Sequence, residues 1–275
     1  MKLITSRRII AAVLLAAITS AGTFAQTPTP AADLDYQTAA VLYMQKSAEY
    51  RALTYQAFNI ARLRLDEDFE KKNLKKLPKA ERKRPRAIIV DIDETVLDNS
   101  PSQARAIKTG RAFNQEDWYG WGEMRKAKAI PGAVDFLNYA VSKGVKVFYI
   151  SNRDEVQKAA TIDNLIKAGF RDVSSENLML RITESSKDAR RAAVAANYRT
   201  VMLMGDNLDD FSSVFERKAI ADRFAATNTA REEWGRKFIV LPNAMYGTWE
   251  NAIYEYQRLT EAQKAEKRAA ALELP

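Results

Sequence analysis

The sequence predicts an α/β fold, a mostly parallel sheet flanked by helices, with a small helical cap inserted after the first strand. Three observations predict it. Ala87-Ile88-Ile89-Val90 is an apolar run without polar alternation, the pattern of a strand buried on both faces of a parallel sheet. Val145 to Ile150 and Thr200 to Met204 repeat the pattern, and the stretches between carry apolar residues at helical spacing. The three runs lead into Asp91 and Asp93, into Ser151-Asn152-Arg153, and into Asp206 and Asp210, and ligands of open parallel sheets collect at the strands' carboxyl ends.

In chain order, Met1 to Ala25 places Lys2, Arg7 and Arg8 ahead of the apolar stretch Ile9 to Ile18, the outline of a secretory signal cleaved near Ala25. The apolar stretch is too short to span a bilayer, and Ser6-Arg7-Arg8 leaves a twin-arginine route open beside the general one. The expected destination is the periplasm or the medium. Residues 26–33 read as a flexible leader. Between Leu34 and Glu70, Ala40, Tyr43, Ala48, Leu53, Phe58, Ala61 and Leu65 recur at helical spacing and predict one or two long helices. With the basic stretch that follows, residues 34–84 read as an N-terminal helical subdomain and linker, and 85–275 as the sheet domain.

Within the sheet domain, the aromatic and polar segment of about 99–130 holds no strand pattern and reads as the cap over the site. Pro131-Gly132 opens a helix to Ser142, and Lys143-Gly144 closes it. Another helix, with Ala159, Ile162, Leu165 and Ile166 inward, stops at Gly169. A short strand is expected at Leu178 to Leu180, a helix over Lys187 to Asn197, a last strand at Phe238 to Leu241 and a polar helix from Tyr254 onward.

Composition removes whole classes of chemistry. The 275 residues contain no cysteine and no histidine, which excludes a Ser-His-Asp hydrolase, a phosphohistidine enzyme and an ordinary zinc hydrolase. No thiol is available for lipid attachment, so no membrane anchor is expected. The formal charge of +8 falls to +5 without Lys2, Arg7 and Arg8, a mild excess that suits small anionic substrates better than a nucleic-acid polymer. The denser basic run Lys71, Lys72, Lys75, Lys76, Lys79, Arg82, Lys83, Arg84 and Arg86 has no interleaved aromatic residue to stack bases, and reads as a solvated linker.

The remaining acids, with Ser151 and Lys187, fit a phosphate problem. A carboxylate attacks a phosphate monoester only when the anionic repulsion is neutralised, and a divalent cation held by further carboxylates does this. On that reading the cation is Mg²⁺, Asp91 the nucleophile that forms an aspartyl-phosphate, and Asp93 the group that protonates the leaving alkoxide. Ser151 and Lys187 hold the phosphoryl oxygens, and Asp206 and Asp210 complete the metal site. Each piece alone is ordinary: Asp-x-Asp is common in calcium turns, a serine after a strand is often a helix cap, and a lone lysine is more often solvated.

Together and in this order they match the four motifs of the haloacid dehalogenase superfamily, whose phosphatases carry the second aspartate. I-I-V-D-I-D-E-T-V-L-D-N-S from Ile88 and L-M-G-D-N-L-D-D-F from Leu203 resemble the paired signatures of the class C nonspecific acid phosphatases. That four-aspartate group includes bacterial outer-membrane lipoprotein 5′-nucleotidases. S-A-E-Y-R-A-L from Ser47, P-G-A-V-D-F from Pro131, V-F-Y-I-S-N-R from Val147, S-K-D-A-R from Ser186 and F-I-V-L-P-N-A-M-Y-G-T-W-E from Phe238 are similar too. The resemblance thus spans nearly the whole chain after the signal segment.

It implies a Rossmann-like core of the haloacid dehalogenase type, with Asp93 also binding metal through its backbone carbonyl. It further implies that Phe113, Trp118 and Tyr246 hold a nucleobase between rings, with Asn152 and Arg153 as further substrate contacts. A homodimer and a mildly acidic optimum belong to the same expectation. Two departures stand out: Ser102 replaces a tyrosine of the family signature, and the lipoprotein cysteine is absent. The leading expectation is a Mg²⁺-dependent acid phosphatase acting on nucleoside 5′-monophosphates. A phosphatase for sugar phosphates or other small esters is the alternative, and a non-enzymatic binding protein the third, disfavoured because Asp91 is present.

Overall fold

The computed structural model describes residues 34–275, which fall within one compact unit; the expected signal segment and the leader over 26–33 lie outside the described residues. After a turn of 3₁₀ helix come α1 (Thr38–Lys46) and α2 (Ala48–Phe69), divided at Ser47. Ser47 is extended and its Oγ accepts the Tyr50 N–H at 2.9 Å, an N-cap that starts α2 afresh and so yields two helices. Tyr50, Thr54, Ala57, Phe58, Ala61 and Leu65 form the buried stripe of α2, which packs on the sheet side of the molecule with Phe58 set 6.1 Å from Phe136. The basic stretch forms two short exposed turns, α3 (Lys71–Leu74) and α4 (Lys79–Arg82).

The large sheet contains β1 (Arg86–Val90), β4 (Lys146–Asp154), β5 (Leu178–Arg181), β6 (Arg199–Gly205) and β7 (Phe238–Val240), all parallel, in the order β5-β4-β1-β6-β7. Ile88 and Val90 join the large core cluster with α2 and α7 (Ala133–Ser142), whereas Ala87 and Ile89 face the smaller cluster with Phe211 and Phe215. Both faces of β1 are therefore covered, which is why its sequence shows no polar alternation. The chain moves outward from β1 to β4 and β5, then crosses to β6 and β7 on the other side. That reversal opens a crevice at the carboxyl end of β1.

Three elements differ from the sequence expectation. β4 runs four residues beyond Ile150, through Ser151-Asn152-Arg153 to Asp154, which pairs with Arg181 of β5. Polar residues masked this extension, although Ser151 and Arg153 are buried and Asn152 between them is exposed, the period of a strand. A ribbon of β2 (Leu97–Asp98) and β3 (Lys128–Ala129) closes the base of the cap segment where no strand was expected; two-residue strands leave no periodicity to read. The cap itself holds α5 (Ser100–Thr109) and α6 (Gln115–Met124). Around the sheet follow α8 (Lys158–Ala168), α9 (Asp188–Asn197), α10 (Ile220–Thr229) and α11 (Thr248–Ile253). The final helix, α12 (Glu261–Ala270), starts later than Tyr254 because Glu255 and Tyr256 take left-handed φ values of 53° and 58°. Thr260 and Gln263 form its capping box. Among the described residues, no helix is long and apolar enough to cross a membrane.

Candidate active site

The carboxylates of Asp91, Asp206 and Asp210 converge at the crevice, each offering an oxygen within 4.8 Å of the others. Backbone pairing sets the first of them: the Asp91 N–H donates to the Met204 carbonyl at 2.9 Å, continuing the β1–β6 ladder one residue past β1. Asp206 follows the last residue of β6, and its oxygens accept from Thr95 Oγ1 at 3.1 Å and Asn243 Nδ2 at 2.8 Å. Asp210 closes a turn capped reciprocally with Asn207, whose N–H donates to Asp210 Oδ2 at 3.0 Å. Gly205 leaves room for that turn. A Cβ at Gly205 would sit 2.7 Å from the Asp210 carboxyl carbon.

Lys187, at the start of α9, joins two of these acids: its buried Nζ donates to Asp91 Oδ1 and, at 2.6 Å, to Asp210 Oδ1. Burial alone would lower the lysine pKa, but Asp210 and Asp91 together hold it above its ordinary value, so the ammonium stays charged. One ammonium does not balance three carboxylates. Burial pushes Asp91 well above the usual carboxylate range despite Lys187, and burial with the charge of Asp210 pushes Asp206 up to about 7. A donor set of carboxylate oxygens with excess negative charge fits a hard divalent cation.

Asp93 stands outside that group of three and is held by other partners. Its carboxylate accepts from Arg153 Nη2 at 2.7 Å, Arg153 Nε at 2.9 Å, Asn99 Nδ2 at 2.8 Å and Ser151 Oγ at 3.3 Å. Two residues apart in an extended chain, Asp91 and Asp93 would face the same way. The chain turns back just beyond the pair, with Glu94 at φ 59° and the Val96 N–H bonded to the Ile92 carbonyl at 2.9 Å, and the two carboxylates take different partners, Lys187 for Asp91 and Arg153, Asn99 and Ser151 for Asp93.

Ser151 is buried beside Asp93 and its Oγ accepts the Arg153 N–H at 3.1 Å. Asn152 accepts from Arg190 Nη2 at 2.6 Å, and Arg190 Nη1 also donates to the Ser151 carbonyl at 2.6 Å. Arg153, expected as a substrate contact, lines the cleft, but its guanidinium is held by Asp93 and Thr161. The Arg153 side chain is 1% exposed, and its Nε and Nη2 both donate to Asp93.

The cleft above these groups has a volume of about 970 Å³, and Phe113, Trp118 and Tyr246 all line it. Phe113 is 76% exposed and touches Trp118, ring centroids 6.4 Å apart and planes inclined by 48°. No gap is open between those two rings in this arrangement. Tyr246 is partly buried against the main core. Thr95, Asn99, Asn243 and Arg190 were not singled out as site residues from the sequence. All four lie inside the family-like segments, but nothing in one dimension pairs Asn243 with Asp206.

Comparison with known proteins agrees with this geometry. Residues 3–249 match the family described as HAD superfamily, subfamily IIIB (Acid phosphatase). The structure is similar to that of the class C acid phosphatase from Bacillus anthracis, with a TM-score of 0.81 and 39% identity, covering 88% of this chain and 98% of that one. A second structure of that protein, with tungstate bound, matches with the same figures. A curated relative, acid phosphatase 1 of Solanum lycopersicum, is 29% identical over 130 residues, 44% of this chain; the match spans about half of that relative's length, 50%. The chain belongs to the acid phosphatase family of the haloacid dehalogenase superfamily, subfamily IIIB.

Proposed function

We propose that this protein is an exported, Mg²⁺-dependent acid phosphatase that hydrolyses small phosphomonoesters, nucleoside 5′-monophosphates first among them, through an aspartyl-phosphate on Asp91. The observation that carries the reading is the buried Asp91 at the end of the central strand, bridged by Lys187 to Asp210. The tungstate-bound relative supports it, since an oxyanion of that kind resembles phosphate in charge and shape. Export rests on the sequence of the first 25 residues.

Asp91, Asp206 and Asp210 would hold the cation. When bound, it offsets the charge that keeps a carboxylate from an anionic phosphate. An Asp91 oxygen attacks phosphorus in line with the ester oxygen, and the P–O ester bond breaks as Asp93 gives a proton to that oxygen. Lys187 and the Ser151 hydroxyl hold the phosphoryl oxygens as charge builds on them. Asp93 then takes a proton from water, the water oxygen bonds to phosphorus, and phosphate leaves with Asp91 restored. The leaving group lies toward Phe113, Trp118 and Tyr246, whose rings offer stacking surface to a base of any identity.

The test is phosphate release by the purified protein from nucleotides and sugar phosphates, with Mg²⁺ and with excess EDTA. Nucleoside 5′-monophosphates are expected to be hydrolysed best and EDTA to stop the reaction. Full activity in EDTA would refute the metal role, and equal efficiency on sugar phosphates would refute the nucleotide preference.

A further inference from the structure

We propose that Arg153 is a positioning residue that anchors one oxygen of Asp93 and leaves the other to face the ester oxygen of the substrate. The inference rests on the reading of Asp93 as proton donor to the leaving group. The two oxygens of Asp93 are unequally engaged. Oδ1 accepts from Arg153 Nη2 at 2.7 Å, Arg153 Nε at 2.9 Å and Asn99 Nδ2 at 2.8 Å. Oδ2 has only longer contacts, 3.2 Å to Arg153 Nε and 3.3 Å to Ser151 Oγ. The carboxylate is thus fixed through Oδ1, and Oδ2 is the oxygen that can turn to a reacting group without releasing its anchor.

The anchor is itself fixed on every side. The Arg153 side chain is 1% exposed, whereas Asp93 is 19% exposed and lines the cleft. Nη1 donates to Thr161 Oγ1 at 3.2 Å, Nη2 lies 3.4 Å from Asn99 Oδ1, and the Trp118 ring centre is 5.4 Å from Cζ, within cation–π range. Asn99 Oδ1 also accepts from Trp121 Nε1 at 2.7 Å, so the cap helix α6 helps hold the same group. Lysine would keep the charge but lose the planar fork that fixes a carboxylate in orientation.

An orienting role predicts a dependence on leaving group that packing alone would not give. Phenolate from phenyl phosphate needs a proton as the P–O bond breaks, while nitrophenolate from p-nitrophenyl phosphate departs as a stable anion. The two esters share a phenyl ring, and each variant is compared with the unmodified protein on the same ester, so the contacts of the nitro group enter both rates of the ratio. The parameter kcat/KM reports events up to leaving-group departure. With Mg²⁺ present, Arg153→Met should lower kcat/KM for phenyl phosphate about tenfold or more beyond its effect on p-nitrophenyl phosphate, with Arg153→Lys between. Equal losses on both esters would overturn the inference, because a structural or substrate-binding role lowers both alike. Should Arg153→Met fail to fold, Arg153→Lys, which keeps the buried charge, decides by the same comparison. Absence of turnover by the unmodified protein on either ester would instead refute the phosphatase reading itself.

Discussion

Loss of the Asp91 carboxylate removes the attacking oxygen while leaving a side chain of the same size. Asp91→Asn is therefore expected to lower phosphate release on the order of a thousandfold or more, with the circular-dichroism spectrum unchanged. Retained turnover in that variant would refute the assignment of the nucleophile. Gly205 offers a second test that touches no reacting atom. A methyl there would crowd the Asp210 carboxyl, so Gly205→Ala should cost roughly a hundredfold in kcat while the protein still folds; ordinary rates would mean that the Asp210 turn tolerates displacement. The acids and Lys187 are legible in the sequence because each sits at a predictable place, a strand end or a helix start. Arg153 shows the limit. Its position after Ser151 is plain, but its partner Asp93 lies 60 residues away, and only the fold reveals that the guanidinium serves the acid.

Helix α6 is tied to the sheet at Asp154, the last residue of β4. Its carboxylate accepts from Tyr119 Oη at 2.6 Å and Gln115 Nε2 at 2.8 Å, both on α6, and from Arg181 Nε at 2.8 Å. Asp154→Ala should free the start of α6, seen as faster amide exchange over residues 115–124 with β1 unaffected. It should also raise KM for nucleotides several-fold, since Trp118 lies on that helix; unchanged exchange over α6 would show that packing holds the cap without this clamp. This tie was hidden because Ser151 to Asp154 reads as a loop, while β4 carries it as a strand into the site. The long apolar strands and the helices beside them were legible from pattern, since their burial is continuous or periodic. The β2–β3 ribbon and the break at Glu255-Tyr256 were not, because two-residue pairings and left-handed residues other than glycine leave no repeating signal.

At the scale of the whole molecule, the buried acids couple stability to pH and to metal. Burial and Asp210 raise Asp206 from its ordinary 3.8 to about 7. A carboxyl that binds its proton more tightly when folded stabilises the fold fully below about pH 4, and that contribution is lost as pH rises through about 7. A cation in the site replaces the proton's effect above that point. Mg²⁺ should therefore raise the Tm more at about pH 8 than at about pH 5, and equal shifts at the two values would mean that its binding is not linked to these acids. The same cluster underlies the central claim, transfer of the phosphoryl group first to Asp91 and then to water. Each in-line displacement inverts phosphorus, so two in succession restore the original hand. The stereochemical course of hydrolysis of an isotopically chiral phosphomonoester tests this most directly: the account predicts net retention at phosphorus, and net inversion would contradict it by showing direct attack of water on the substrate.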